Sequence, residues 1–356
     1  MNNYILAINP GSTSTKIAVF KDLTEVFTKT INHNTEKIDT FPNIASQYSF
    51  RMNSILNVLE ECSFNIQSLS CVIGRGGVGL KPVKSGAYIV NNTMVERLKN
   101  NPVIEHASNL GAIIAKDIAD KIGCNAYIYD SVATDELIDI ARVSGLPEIV
   151  RTSAFHALNS RATAMKVAEK NNSSYDKLNF VVAHLGGGIS ISAHQKGRVI
   201  DIVADDEGPF SPERAGTLPI TKVLKLCYSG DFTYKQIKKR VRGNGGVKAY
   251  LNTIDMREVI KMAEQGNKQA TLIIDAMVYQ IAKSIGSLAT TMNGEVDFIV
   301  ITGGIAYDQY VTSELKKRVS FIANVSIEPG ENEMQALAGG AFRVLTEKEQ
   351  AREYVE

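Results

Sequence analysis

A short turn of glycine and small polar residues lies directly between two apolar strands near the start of this chain. Residues Ile8–Phe20 read INPGSTSTKIAVF. Ahead of the turn, NYILAINP is apolar enough for a buried strand. Behind it, TKIAVFK carries β-branched residues and a near-continuous apolar core, the pattern of a second strand. Walker A and Rossmann phosphate loops both open a helix. A loop that joins two strands is a β-hairpin instead, so neither of those folds suits this segment.

The pattern returns twice. Asn179–Asp201, NFVVAHLGGGISISAHQKGRVID, predicts a strand, a glycine turn, a second strand, a KG turn and a third strand. Val296–Asp308, VDFIVITGGIAYD, predicts a strand that ends in glycines. Helical patterns lie between: NLGAIIAKDIADKI at Asn109–Ile122 and DAMVYQIAKSIGSLATTM at Asp275–Met292 repeat apolar residues at i, i+3, i+4 and i+7. The fold class expected is therefore α/β, with two domains that each hold a mixed sheet flanked by helices. A length of 356 residues agrees, at roughly 100–200 residues per domain. The boundary is placed near VRTSAFHALNSRATA, which predicts a helix joining the halves. The C-terminal EMQALAGGAFRVLTEKEQARE predicts a helix packed back on the first half. The domains so drawn are 1–155 with 335–356, and 156–334.

With 39 basic and 38 acidic side chains, net charge +1, nothing in the charge balance favours nucleic acid or a membrane surface as partner. The four cysteines, Cys62, Cys71, Cys124 and Cys227, are scattered and read as small buried hydrophobes in a reducing compartment. The N-terminus lacks a basic n-region and its apolar run is short for a signal peptide. No run looks close to the roughly 20 apolar residues of a membrane span. These readings make a cytosolic protein the expectation.

Two hairpin turns of this kind can cradle the β- and γ-phosphates of a nucleotide with backbone N–H groups and hydroxyls. Glycine allows the close approach of a phosphate oxygen, and the glycines of ITGGIA leave room for adenosine. Such pairing resembles the superfamily that holds actin, the heat-shock chaperone ATPases and the sugar and acetate kinases. NPGSTSTK at Asn9–Lys16 and AHLGGGISI at Ala183–Ile191 resemble the two signatures of the acyl phosphate-forming carboxylate kinases, the acetokinase family. Within it, HLGGGIS and DDEGPFSPERAGTLP are most similar to the butyrate kinase branch. The resemblance runs almost end to end. It implies two duplicated ribonuclease H-like (actin-like ATPase) domains with a cleft between them, ATP/ADP and Mg²⁺ as cofactors, and a homo-oligomer. The implied reaction phosphorylates a short-chain fatty acid, butanoate + ATP ⇌ butanoyl phosphate + ADP.

Site residues carry over one at a time. Asn9, Ser12, Ser14 and Lys16 match the phosphate-binding positions of the first turn. His184, Gly186, Gly187 and Gly188 match the second, and Gly303 and Gly304 the adenosine side. Arg75 in VIGRGGVG, Asp130 in IYDSVATDE, His156 in AFHALNSRA and Arg214 in FSPERAGTLP match catalytic positions. His106 matches an acyl-site histidine more loosely, and Glu333 matches a glutamate of the Mg²⁺ neighbourhood. Ala157, Leu158, Asn159 and Ser160 replace the Gly-Thr-Ser-His that follows the family histidine. His33 and His194 have no match and are expected at the surface.

The chemistry accounts for this set. A carboxylic acid with a pKa near that of Glu is already ionised at neutral pH, so no general base is required. The barrier lies in bringing one anion to another, and phosphoryl transfer depends chiefly on positioning and charge neutralisation. Arginines, a histidine donor and Mg²⁺ supply that. A sugar kinase, an actin-like filament subunit and a sugar-responsive repressor are the competing readings. The repressor would need a DNA-binding extension, for which the N-terminal hairpin leaves no room.

Overall fold

The computed structural model describes residues 3–356. The chain divides into two compact units, one formed by residues up to Asp135 together with Asn332–Glu356, the other by Glu136–Glu331. The expected boundary after residue 155 therefore moves back to 135, and Asn332–Met334 join the first unit. The reason is bonding. The Ile138 N–H donates to the Ile200 carbonyl, and Arg151 binds Asp201, the Ile202 carbonyl and Glu207. Residues 136–155 are thus bonded to the second unit, and the helix Ala157–Lys170, which was expected to join the halves, lies within that unit too.

In the first unit, strands β1 (Tyr4–Pro10), β2 (Ser14–Lys21) and β3 (Thr24–Asn32) form an antiparallel meander. β4 (Leu69–Arg75) pairs parallel with β1, and β6 (Asn125–Tyr129) parallel with β4. β5 (Ala87–Ile89) lies antiparallel to β6. Residues Ile5 to Ile8 of β1 are buried on both faces, as a central strand covered by helices requires. Ile55 and Leu59 of the helix Tyr48–Glu61 and Leu110 and Ile114 of the helix Asn109–Ile122 share one core with Ile8 and Val72. β4 and that second helix touch backbone to backbone. A Cβ at Gly74 would lie 2.2 Å from the Gly111 carbonyl oxygen, so only paired glycines permit the approach.

In the second unit, β7 (Asn179–Leu185), β8 (Ile189–Gln195) and β9 (Arg198–Val203) form a second antiparallel meander. β10 (Phe298–Gly303) and β11 (Asn324–Pro329) extend it in parallel, giving the order β11-β10-β7-β8-β9. The helix Lys268–Thr290 lays Ile274, Met277, Val278, Ile281 and Ile285 into the core beneath this sheet. Contrary to expectation, this helix is long and apolar enough by length and composition to cross a membrane. Its apolar stripe is used instead for packing.

The C-terminal helix ends earlier than expected, at Leu345. The chain then turns through Glu347 at φ +58° into β12 (Arg352–Glu353), which pairs with β5 and edges the first sheet, β12-β5-β6-β4-β1-β2-β3. Among the cysteines only Cys71 is buried; Cys62 and Cys124 are half-buried and Cys227 is exposed. His33 and His194 are not surface residues. His33 is buried against Phe50 and bonds Thr15 Oγ1 at 2.8 Å. His194 is fully enclosed between Tyr175 and Ser192, at 2.7 Å from each. His194 sits on β8 and His33 directly after β3, and both find hydroxyl partners, which a pattern of isolated histidines does not reveal.

Candidate active site

The first turn is closed by the Gly11 N–H donating to the Ser14 carbonyl at 2.8 Å. Ser12 is exposed and Ser14 half-buried, so both hydroxyls lie at the edge of the sheet. Asn9 and Lys16 are cross-strand partners in the hairpin, with Lys16 exposed. Asn9 Nδ2 donates to Glu333 Oε2 at 2.5 Å, and Arg75 pairs with the other oxygen of the same carboxylate. Glu333 opens the C-terminal helix after Asn332, whose φ of +38° swings the chain into it. One carboxylate thus links a residue of the phosphate-type turn to the arginine at the end of β4.

Asn9, Arg75 and Asp130 stand at or just past the C-terminal ends of three neighbouring strands, β1, β4 and β6. That edge is where open α/β sheets take ligands. Asp130 is buried at φ +40°, a strained position for a non-glycine residue. It is no helix cap. Its N–H donates to the Gly86 carbonyl and its Oδ1 accepts from the Gly86 N–H at 2.7 Å. His106 Nδ1 accepts from the Ser108 N–H at 3.2 Å, which leaves the ring proton of the neutral form on Nε2. Desolvation, with the Arg75 and Arg51 charges adding to it, lowers the pKa of His106 although the residue has an open edge to solvent.

The sequence reading missed Arg51. It is fully buried on the helix Tyr48–Glu61, behind the first turn. Nη1 donates to the carbonyls of Gly11 (2.8 Å) and Ser14 (3.0 Å) and to Thr15 Oγ1 (3.1 Å); Nη2 donates to the Ser12 carbonyl (2.8 Å). The segment YSFRMNSIL shows only an arginine on an otherwise ordinary helix, so no local signal singles it out.

In the second unit, His156 and His184 come together. Their rings stack at 3.8 Å, 12° from parallel. His156 Nδ1 lies 2.7 Å from Ser190 Oγ on β8. Asn159, one of the replaced positions, donates from Nδ2 to His184 Nδ1 at 2.9 Å and to Thr302 Oγ1 at 3.1 Å. His184 Nδ1 is thereby an acceptor, and its Nε2 carries the proton. This Nε2 is buried beside Gly186 with no hydrogen-bond partner among the described residues; Glu331 Oε1 stands at 3.5 Å.

The Gly186–Gly188 turn is closed by the Gly186 N–H donating to the Gly188 carbonyl at 3.1 Å, and the Ser211 hydroxyl donates to the Gly187 carbonyl at 2.6 Å. The Arg214 guanidinium lies against Gly188, where a Cβ would come within 2.6 Å of Nη1. Arg214 pairs with Asp205, which also takes Arg242 at 2.9 Å. Burial, then the Arg242 charge, pushes the Arg214 pKa down to about 10. Gly303, at φ +92°, packs on the Leu185 backbone, while Gly304 faces open space.

Among the described residues no group of three or more His, Cys, Asp or Glu side chains is arranged to hold a metal ion. Glu333 offers a single carboxylate. That suits Mg²⁺, which keeps several waters and takes one or two carboxylates plus substrate phosphates.

Two α/β units, each with a strand–turn–strand hairpin, define the fold class of the solved acetate and propionate kinases. The acetate kinase of Porphyromonas gingivalis aligns with TM-score 0.78 over 98% of this chain and 100% of that one, at 19% identity. The propionate kinase of Francisella tularensis aligns with TM-score 0.75 over 95% and 98%, at 18% identity. The acetokinase family model matches residues 130–350. A protein of Clostridium botulinum named as a probable butyrate kinase is 48% identical over 99% of this chain and all of its own length. Butyrate kinase 2 of Clostridium acetobutylicum is 48% identical over 98% of this chain and 99% of its own. The chain belongs to the acetokinase family.

Proposed function

We propose that this carboxylate kinase transfers the γ-phosphoryl group of ATP to butanoate, reversibly, giving butanoyl phosphate and ADP. The observation that carries this reading is the linkage Asn9–Glu333–Arg75, which puts a fixed cation beside a turn rich in amides and hydroxyls. The near full-length likeness to relatives named butyrate kinases selects the acid.

In the first unit, the amides and hydroxyls of Ser12 and Ser14, with Asn9 and Lys16, hold terminal phosphate oxygens. Arg75 neutralises charge on the acid and on the phosphoryl group in flight, and Asp130 orients the strand-end loop through Gly86. In the second unit, the Gly186–Gly188 turn and His184 Nε2–H donate to phosphate. His156 and Arg214 stabilise the charge that develops in transfer, and Gly303 and Gly304 leave room for adenosine. Glu333 would hold Mg²⁺, which when bound neutralises phosphate charge. No residue is asked to remove a proton, because the acid is already ionised at neutral pH. Transfer is direct and in line. The chain acts as a homo-oligomer.

The test is acyl phosphate formation, trapped as hydroxamate, with Mg·ATP and acetate, propionate, butyrate, isobutyrate or valerate offered singly. A kcat/KM maximum at butyrate is expected. A maximum at another acid keeps the kinase and replaces the substrate, since one methylene is worth only about 1–3 kcal/mol. No acyl phosphate from any acid, by folded protein that binds ATP, overturns the proposal.

A further inference from the structure

We infer that Arg51 is a positioning residue for the first turn and the fixed counter-charge of the anion bound there. The inference rests on the reading that this turn holds phosphate.

Two observations carry it. The first is charge. Arg51 is fully enclosed, yet among the described residues no carboxylate lies within ion-pair distance of it. Its remaining donor, Nε, goes to the neutral Gln47 Oε1 at 3.0 Å. Carbonyl and amide oxygens satisfy the hydrogen bonds of a guanidinium and leave its charge unmatched. A buried cation in that condition is costly unless an anion arrives. Burial lowers the Arg51 pKa, in keeping with the missing partner.

The second observation is direction. In a trans peptide the C=O and the following N–H point to opposite sides. Arg51 takes the carbonyls of Gly11 and Ser12 from behind. The amides of Ser12 and Thr13, which share those two peptide planes, must then point forward, away from the protein. Both residues are exposed, and among the described residues neither amide has a hydrogen-bond partner. The Thr13 carbonyl is also occupied, by the His33 N–H at 2.9 Å. One side of the turn is therefore acceptors tied down on a cation. The other side is free donors. An anion on the donor face completes the charge that the rear face lacks.

The experiment uses the full-length protein and measures ADP and ATP affinity by calorimetry, thermal melting without ligand, and steady-state kinetics, for wild type, K16A, R51Q and R51K. R51Q is expected to weaken nucleotide binding about 10- to 100-fold, the scale of one lost hydrogen bond to a charged group. The loss should fall on KM for ATP and leave KM for the acid near its wild-type value. R51K keeps the charge and loses the fork, so it should lie between. If R51Q does not fold, R51K decides, and wild-type nucleotide affinity there overturns the inference. R51Q that melts lower yet binds nucleotide as wild type does is a purely structural arginine, and the inference fails. The phosphate reading is judged apart: nucleotide affinity unchanged in K16A, or absent in wild type, removes that reading whatever Arg51 does.

Discussion

The His156 ring lies flat on the His184 ring, 3.8 Å between centroids. Each has its Nδ1 engaged, one with Ser190 and the other with Asn159. The two imidazoles are therefore held as one rigid block whose orientation is set from both sides.

Groups that act as a unit are not additive when removed. His156→Ala and His184→Ala are each expected to lower kcat about 10²-fold, the scale of a lost transition-state donor. The double variant should fall far short of the product of the two losses. Strict multiplication of the losses, measured by hydroxamate assay, would show two independent residues.

Arg75→Ala should lose at least about 10²-fold in kcat with the fold intact, though with some loss of melting temperature, because its ion-pair partner Glu333 is mostly buried and is left unpaired. Glu333→Gln keeps the hydrogen bond from Asn9 but removes the negative charge. Its expected signature is a higher Mg²⁺ concentration for half-maximal rate. Near-normal turnover in R75A would remove the arginine from the chemistry.

Two glycines should separate activity from stability. At Gly188 a new Cβ meets only the far end of Arg214, which can move aside. Gly188→Ala should therefore fold, melt close to wild type and lose turnover. At Gly303 a Cβ meets the Leu185 backbone at 2.4 Å and the φ is +92°. Gly303→Ala should melt many degrees lower. Equal melting temperatures for the two variants would contradict this contrast.

Acid should weaken the fold before the carboxylates titrate. Burial, with Arg51 adding to it, holds the His33 pKa at about 4, and burial, with Arg161 adding, holds His194 at about 3, from an ordinary 6.5. As pH falls below 6.5 the unfolded chain takes up protons that the folded protein refuses. Stability is thus full above 6.5 and is lost progressively towards the folded values, at up to about 1.4 kcal/mol per pH unit for each group. His106, also lowered, adds in the same direction. Urea denaturation at pH 7, 5.5 and 4.5 should show the fall, and His33→Gln should flatten it. A flat profile in wild type would sink the argument.

The sequence made the two hairpins legible because each is local: apolar strand, small residues, apolar strand. Arg75 and Asp130 came through the resemblance to the acetokinase pattern, and the structure puts Arg75 at the end of β4 and Asp130 just past β6. What stayed hidden depends on distant parts of the chain. Arg51 acts through carbonyls some forty residues away. Asn159 looked like a departure from a motif, yet it fixes the His184 tautomer from the first turn of a helix. His33 and His194 lack a motif; His194 is buried by its place in β8, and His33 by packing on Phe50 just past β3. The boundary moved because hydrogen bonds between residues 136–155 and β9 leave no trace in composition.

The first unit is interrupted in sequence by the whole of the second. A ribosome therefore delivers the hairpin, Arg51 and Arg75 early, and Glu333 only after residues 136–331 have emerged. A released chain that ends at residue 331 holds the whole of the second unit, while the first still lacks the helix Glu333–Leu345 and the edge strand β12. In such a chain Asn9 and Arg75 have nothing to join them. The carboxylate that couples turn to arginine is synthesised after the whole second unit, so products truncated before residue 333 are built without it.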